Sequence, residues 1–106
     1  MAATNWIISS CSTYKQKVEL TKCYGSENDV KKILQEMFDK KISEWKEKQG
    51  ENVDRILVTD TRDMPKFVEG STIEGYLELC LHKGRCEQIF YSVYRLEDIK
   101  EYDANN

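Results

Sequence analysis

The chain has 106 residues, 40% of them hydrophobic and 33% charged, which is the size and composition of one globular domain over residues 1–106 with a single modest core. Its formal net charge of −3 opposes a sequence-independent grip on nucleic-acid phosphates and provides no attraction to an anionic membrane. No apolar run approaches the about 18 residues of a membrane span, and Trp6-Ile7-Ile8 is too short for the apolar core of a signal peptide, so a cytoplasmic location is expected.

Residues 5–10 contain the apolar run Trp6-Ile7-Ile8, and residues 14–24 carry Val18 and Leu20 on one face with Lys17, Glu19 and Thr21 on the other. A period of two predicts strands. Cys11-Ser12-Thr13 is a short polar connection between them, so the two are expected to pair as a hairpin. Tyr24-Gly25-Ser26 then turns the chain into a helix.

That helix, residues 26–50, is the segment on which the rest must pack. Val30, Ile33, Leu34, Met37, Phe38, Ile42 and Trp45 recur at helical spacing over four turns. Ser26 stands at the N-cap with Asp29 three residues on, a short-armed capping box, and Glu27 and Asp29 place negative charge at the positive end of the helix dipole. Lys46 and Lys48 suit the carbonyl-rich end, and Gly50 can adopt the left-handed conformation that stops a helix. Burying the apolar stripe contributes on the order of 10–20 kcal/mol before conformational entropy, which requires a partner surface. The run YGSENDVKKILQEMFDKK resembles strand-to-helix segments of small bacterial and phage proteins; it covers under a fifth of the chain and contains no functional motif.

Residues 55–59, Arg-Ile-Leu-Val-Thr, form a third strand by their β-branched and apolar density. Residues 60–70 lack periodicity and make a loop longer than the usual four to six residues. Beyond it Ile73, Gly75, Leu77, Leu79 and Leu81 alternate with Glu74, Tyr76, Glu78, Cys80 and His82, and Ile89, Tyr91 and Val93 alternate with Gln88, Phe90, Ser92 and Tyr94. A three-residue loop of His82, Lys83 and Gly84, with Gly84 left-handed, sets Leu77 opposite Ile89, Ile73 opposite Val93 and Gly75 opposite Tyr91, which joins the two apolar faces. It also sets Cys80 opposite Cys86 and Tyr76 opposite Phe90. A two-residue loop would split the apolar set between faces. Residues 96–102 can add a helical turn or two, and the tail from about 103 is expected to be loose. The expected fold is α+β: a two-layer domain in the order β-β-α-β-β-β, an antiparallel sheet of about five strands with one long amphipathic helix on one face. Where the third strand inserts is not legible.

Four cysteines, Cys11, Cys23, Cys80 and Cys86, stand at unrelated intervals in a chain with enough apolar material to fold without crosslinks, so reduced thiols are expected. Cys80, His82 and Cys86 are the one set with metal-ligand chemistry, but a structural zinc needs a fourth ligand and the C-x-x-C knuckle is absent; no metal and no cofactor is assigned. The one histidine sits at the predicted hairpin tip, no glycine-rich elbow surrounds Ser9, Ser10, Ser12 or Ser71, Asp60 and Asp63 read as solvated loop charges, and no phosphate-cradling glycine loop occurs, so no catalytic residue is assigned.

The second sheet face carries the interest. Tyr76, Phe90 and Tyr94 fall on the side away from the helix, where aromatic residues anchor a protein partner or stack nucleic-acid bases, unless Trp6 or the C-terminal segment covers them. Lys83 and Arg85 lie near the tip, but Glu74 and Glu78 share the face and the total charge is negative. The expected role is that of a small non-enzymatic accessory or regulatory protein acting through protein–protein interaction or self-association, with a homodimer as one form. The alternatives are a single-stranded nucleic-acid-binding module using Tyr76, Phe90 and Tyr94, and, third, a small enzyme.

Overall fold

A computed structural model describes residues 3–59 and 70–104. Within it five strands, β1 (Thr4–Ser12), β2 (Lys17–Gly25), β3 (Val53–Thr59), β4 (Ile73–Leu81) and β5 (Glu87–Arg95), and one long helix, α1 (Glu27–Gln49), follow the expected order. The strands form one antiparallel sheet in the order β2-β1-β5-β4-β3. The third strand, unplaced by its sequence, pairs with β4 as an edge, and the last strand enters the middle. Because α1 connects β2 to β3, the two opposite edges, it runs across the sheet and packs on one face, chiefly over β1, β5 and β4, giving the two-layer α+β domain. No helix among the described residues is long and apolar enough to cross a membrane.

The helix begins as its sequence signals. The Ser26 hydroxyl accepts from the Asp29 N–H at 3.2 Å, and the Asp29 carboxylate accepts from the Ser26 N–H at 2.8 Å. The Ser26 backbone N–H first, and the Ser26 hydroxyl second, hold the Asp29 carboxyl below its ordinary range. At the other end Gly50, with φ +56°, closes the helix and its N–H reaches the Lys46 carbonyl. Val30, Leu34, Phe38 and Trp45 are buried, and Ile33, Met37 and Ile42 flank them half-buried. They meet Trp6 and Ile8 of β1, Ile73, Leu77 and Leu79 of β4, and Ile89, Tyr91 and Val93 of β5. Phe38 takes the centre: its ring stands edge-on to Tyr91 at 4.8 Å and lies against Gly75, where any Cβ would fall 2.6 Å from its Cζ. Glycine is required at 75 by that approach rather than by a turn.

The β4–β5 register is the expected one: Ile73 opposes Val93, Gly75 opposes Tyr91, Tyr76 opposes Phe90 and Leu77 opposes Ile89, with Gly84 at φ +120° in the loop. Asn52 holds the tip, accepting from the Lys83 N–H and donating to the Lys83 carbonyl through its side chain while its own carbonyl takes the His82 N–H.

Two expectations are corrected and one is narrowed. The β1–β2 turn occupies residues 13–16, not 11–13: Cys11 and Ser12 remain in β1, and Gln16 supplies the left-handed residue at φ +51°. Of residues 96–102 only Leu96–Asp98 turns helically, as a single 3-10 turn after β5, which narrows the expected one or two turns to one. Cys80 and Cys86 are a disulfide rather than two thiols, because the register holds their Cα atoms 4.1 Å apart on one face; Cys11 and Cys23 are free. Of the long loop 60–70 only Gly70 is described, so Asp60 and Asp63 lie outside the described residues, as do the last two residues of the tail.

Candidate functional site

The sheet face turned away from α1 is built by the parity of the strands. Trp6 and Ile8 point to the helix, so the alternate residues of β1 point away, and the antiparallel registers continue each one into a row across neighbouring strands. One row runs Val18, Cys11, Phe90, Tyr76; the next Leu20, Ser9, Ser92, Glu74; the next Lys22, Ile7, Tyr94; and at the end Tyr24 lies beside Asn5. The aromatic residues expected here do not form one cluster. Tyr76 and Phe90 touch, ring centres 5.1 Å apart and tilted by 51°, whereas Tyr94 stands two rows away opposite Ile7. All three are half-buried. Trp6 does not cover this face: it is buried beneath the helix and its indole N–H donates to the Gly25 carbonyl at 2.9 Å.

Apolar side chains meet water at Leu57 and Val58 of β3 and, outside the strands, at Tyr14, Leu96, Ile99 and Tyr102, but among the strands β2 exposes the most. Val18, Leu20 and Tyr24 are 60%, 71% and 67% exposed. The opposite side of β2, Lys17, Glu19 and Thr21, is exposed as well, because α1 covers β1, β5 and β4 and leaves this edge bare. On that same side only Cys23, half-buried, and Gly25, buried at the strand's end, reach the core, and burial raises the Cys23 thiol above its ordinary value. A nine-residue strand thus pairs along its whole length with β1 and supplies the core with almost nothing. The other edge is built differently. β3 has seven residues, a bulge between Val53 and Arg55 and the Arg55 charge on its open side, devices that blunt an edge against further pairing.

Beside Phe90 the open face becomes polar and satisfied. The Tyr76 hydroxyl donates to Glu78 Oε2 at 2.6 Å, and Arg55 Nη2 lies 3.4 Å from Glu78 Oε1. Burial first, then the Glu78 hydrogen bond and charge, push the Tyr76 hydroxyl up to about 12. With Arg55 engaged by Glu78 and Tyr76 half-buried against Phe90, this end offers little of the free cation and open ring that stacking of bases requires.

His82, considered as a ligand or base, pairs its Nδ1 with Asp54 Oδ1 at 3.3 Å on the exposed tip. Three of the four candidate serine hydroxyls donate elsewhere: Ser9 to the Ser92 carbonyl, Ser12 to Glu87 and Ser71 to Glu74. A cavity of about 610 Å³ opens between the C-terminal half of α1 and the two hairpin tips, where Lys15, Lys41, Lys48 and Arg85 face Glu44 and Glu87. Lys41 is 3.7 Å from Glu87 and Trp45 is 7% exposed, so the cavity wall is mostly charged, with more cations than carboxylates, and Tyr14 is its open aromatic residue.

Sequence reasoning placed Tyr76, Phe90 and Tyr94 on this face and missed Ile7, Cys11, Val18, Leu20 and Tyr24. The signal was the length of the first turn. A four-residue turn sets even positions of β1 against odd positions of β2, so Val18 and Leu20 fall opposite to Trp6 and Ile8; the shorter connection would have put them together. No protein-family model, curated protein or solved structure matches the chain.

Proposed function

We propose that the protein is a non-enzymatic accessory protein that works by protein–protein association through β2 and the open sheet face beside it, the occupant being the same strand of a second copy. One observation carries this reading: β2 exposes Val18, Leu20 and Tyr24 on an unbulged edge nine residues long while contributing little to the core. An open edge with apolar side chains is a template for a further strand, and an edge that is left unprotected costs solubility unless it is used.

The residue pattern of β2 supports self-pairing. Antiparallel pairing about a two-fold axis at Thr21 sets Val18 opposite Tyr24 and Leu20 opposite Lys22 on the open face, and Glu19 opposite Cys23 on the other, with no like charges opposed. Centring at Glu19 or Lys22 would oppose two like charges, and centring at Leu20 would set Val18 opposite Lys22 rather than opposite Tyr24. The pairing would join two five-stranded sheets into one and continue the Val18, Cys11, Phe90, Tyr76 row into the partner.

Sedimentation equilibrium tests the proposal. Leu20→Lys, on a side chain that carries no core contact, is expected to convert a concentration-dependent dimer to a monomer, whereas Leu57→Lys on the opposite edge leaves the dimer intact. A wild-type protein that remains monomeric up to about millimolar concentration refutes self-association.

A further inference from the structure

We propose that the Cys80–Cys86 pair, once reduced, forms with Glu78 a zinc site on the open face at the hairpin end. The oxidised form has the ligand types already assembled: one ligand atom each from Glu78, Cys80 and Cys86 lies within 4.8 Å of the others. The arrangement follows from the sheet. Arg55 of β3, Cys80 of β4 and Cys86, the residue just before β5, are neighbours, and Glu78 is two residues before Cys80, on the same face.

The chemistry matches Zn²⁺. Two thiolates and a carboxylate are a donor set for that ion, and three protein ligands leave a fourth position for water. Two thiolates and Glu78 carry three negative charges, so with Zn²⁺ and the Arg55 guanidinium, which lies 3.6 Å from Cys80 Sγ and 3.4 Å from Glu78 Oε1, the site is neutral overall. Tyr76, donating to the second carboxylate oxygen at 2.6 Å, orients Glu78 and leaves Oε1, 3.2 Å from Cys80 Sγ, directed at the sulfurs. Cys80 is buried and Cys86 exposed, so a reductant and the ion enter from the Cys86 side.

The step is balanced as follows. A dithiol attacks the exposed Cys86 sulfur, the S–S bond breaks, and two protein thiols form as the dithiol closes to its own disulfide. Zn²⁺ then displaces the two thiol protons to solvent. Exchange with a small-molecule disulfide, which is reduced to two thiols as the protein S–S bond re-forms, returns the crosslink and releases the ion, so one pair of sulfurs is either a crosslink or a metal site.

Cobalt(II) titration of the full chain tests this, with a trialkylphosphine as reductant so that no foreign thiolate competes. The reduced protein is expected to take one cobalt per chain with a thiolate-to-cobalt charge-transfer band, displaced by zinc, and the oxidised protein to give none. Cys11→Ser with Cys23→Ser keeps the band, Cys86→Ser abolishes it, and Tyr76→Phe weakens binding by about 10-fold. Glu78→Gln keeps the band but weakens binding at least as much. No band in the reduced protein, a band that survives Cys86→Ser, or its loss in the Cys11 and Cys23 variant would overturn the site, and unchanged affinity in Glu78→Gln would remove the carboxylate from it. Circular dichroism of each variant separates a lost ligand from a lost fold.

Discussion

The contact between Phe38 and Gly75 gives a perturbation whose sign can be worked out beforehand. Gly75→Ala places a methyl carbon 2.6 Å from Phe38 Cζ, inside any real carbon–carbon contact, so the ring or the sheet must shift. Overpacking of this kind costs about 1–3 kcal/mol, against a gain of roughly 0.5–1 kcal/mol for replacing a glycine in regular structure. The single variant is therefore destabilised. Phe38→Ala alone loses the edge-on contact with Tyr91 and leaves a cavity, at about 3–5 kcal/mol. In the double variant the Gly75→Ala methyl enters vacated space, so adding it to Phe38→Ala should be neutral or stabilising. The cycle then yields a coupling of about 1–3 kcal/mol. Urea unfolding followed by far-ultraviolet circular dichroism measures all four corners, with Phe38→Leu as a milder arm should Phe38→Ala approach the 5–15 kcal/mol stability of a typical domain. An equal cost for Gly75→Ala in both backgrounds would refute the placement of Phe38 on the sheet.

Other outcomes follow from the same contacts. Ser26→Ala should lose about 1 kcal/mol of helix capping; because the Asp29 carboxyl is held below its ordinary range, its share of the cap is present at neutral pH and fades as pH falls through that lowered value, which acid titration of stability reads. Gly84→Ala should cost about 1 kcal/mol, since φ +120° is hostile to a Cβ; an unchanged denaturation midpoint would contradict the hairpin geometry. Burial, then Glu87 and Glu19, push the Tyr91 hydroxyl up to about 12. The unfolded chain, with a tyrosine pKa near 10, then releases that proton first, so stability falls from about pH 10 to 12, and Tyr91→Phe should flatten part of the decline.

Most of the architecture was legible because local signals agreed with one another. The α1 stripe, its capping box and the period-two alternation of β4 and β5 each demand the same two-layer packing, and the apolar faces of β4 and β5 coincide in only one of the two registers considered. That register carried Tyr76 to Phe90 and Cys80 to Cys86. The pairing of β1 with β5 and of β3 with β4 was not legible, since both contacts join segments far apart in sequence and no turn specifies them. The open face was half legible. Tyr76, Phe90 and Tyr94 followed from the hairpin register, but the exposed surface of β2 turned on whether the first connection has three residues or four, and Tyr14-Lys15-Gln16 contains none of the glycine, proline or asparagine that mark a turn. The disulfide was geometrically foreseen and chemically discounted, because compositional arguments about thiols say nothing of two sulfurs held face to face.

Amide hydrogen exchange of β2 at several protein concentrations tests the central claim most directly. If β2 pairs with its copy, those N–H groups of residues 18–24 that point away from β1 should be protected in concentrated protein and exchange rapidly on dilution, while the β4 and β5 amides stay protected throughout. Outward β2 amides that exchange at the same fast rate at every concentration would contradict it.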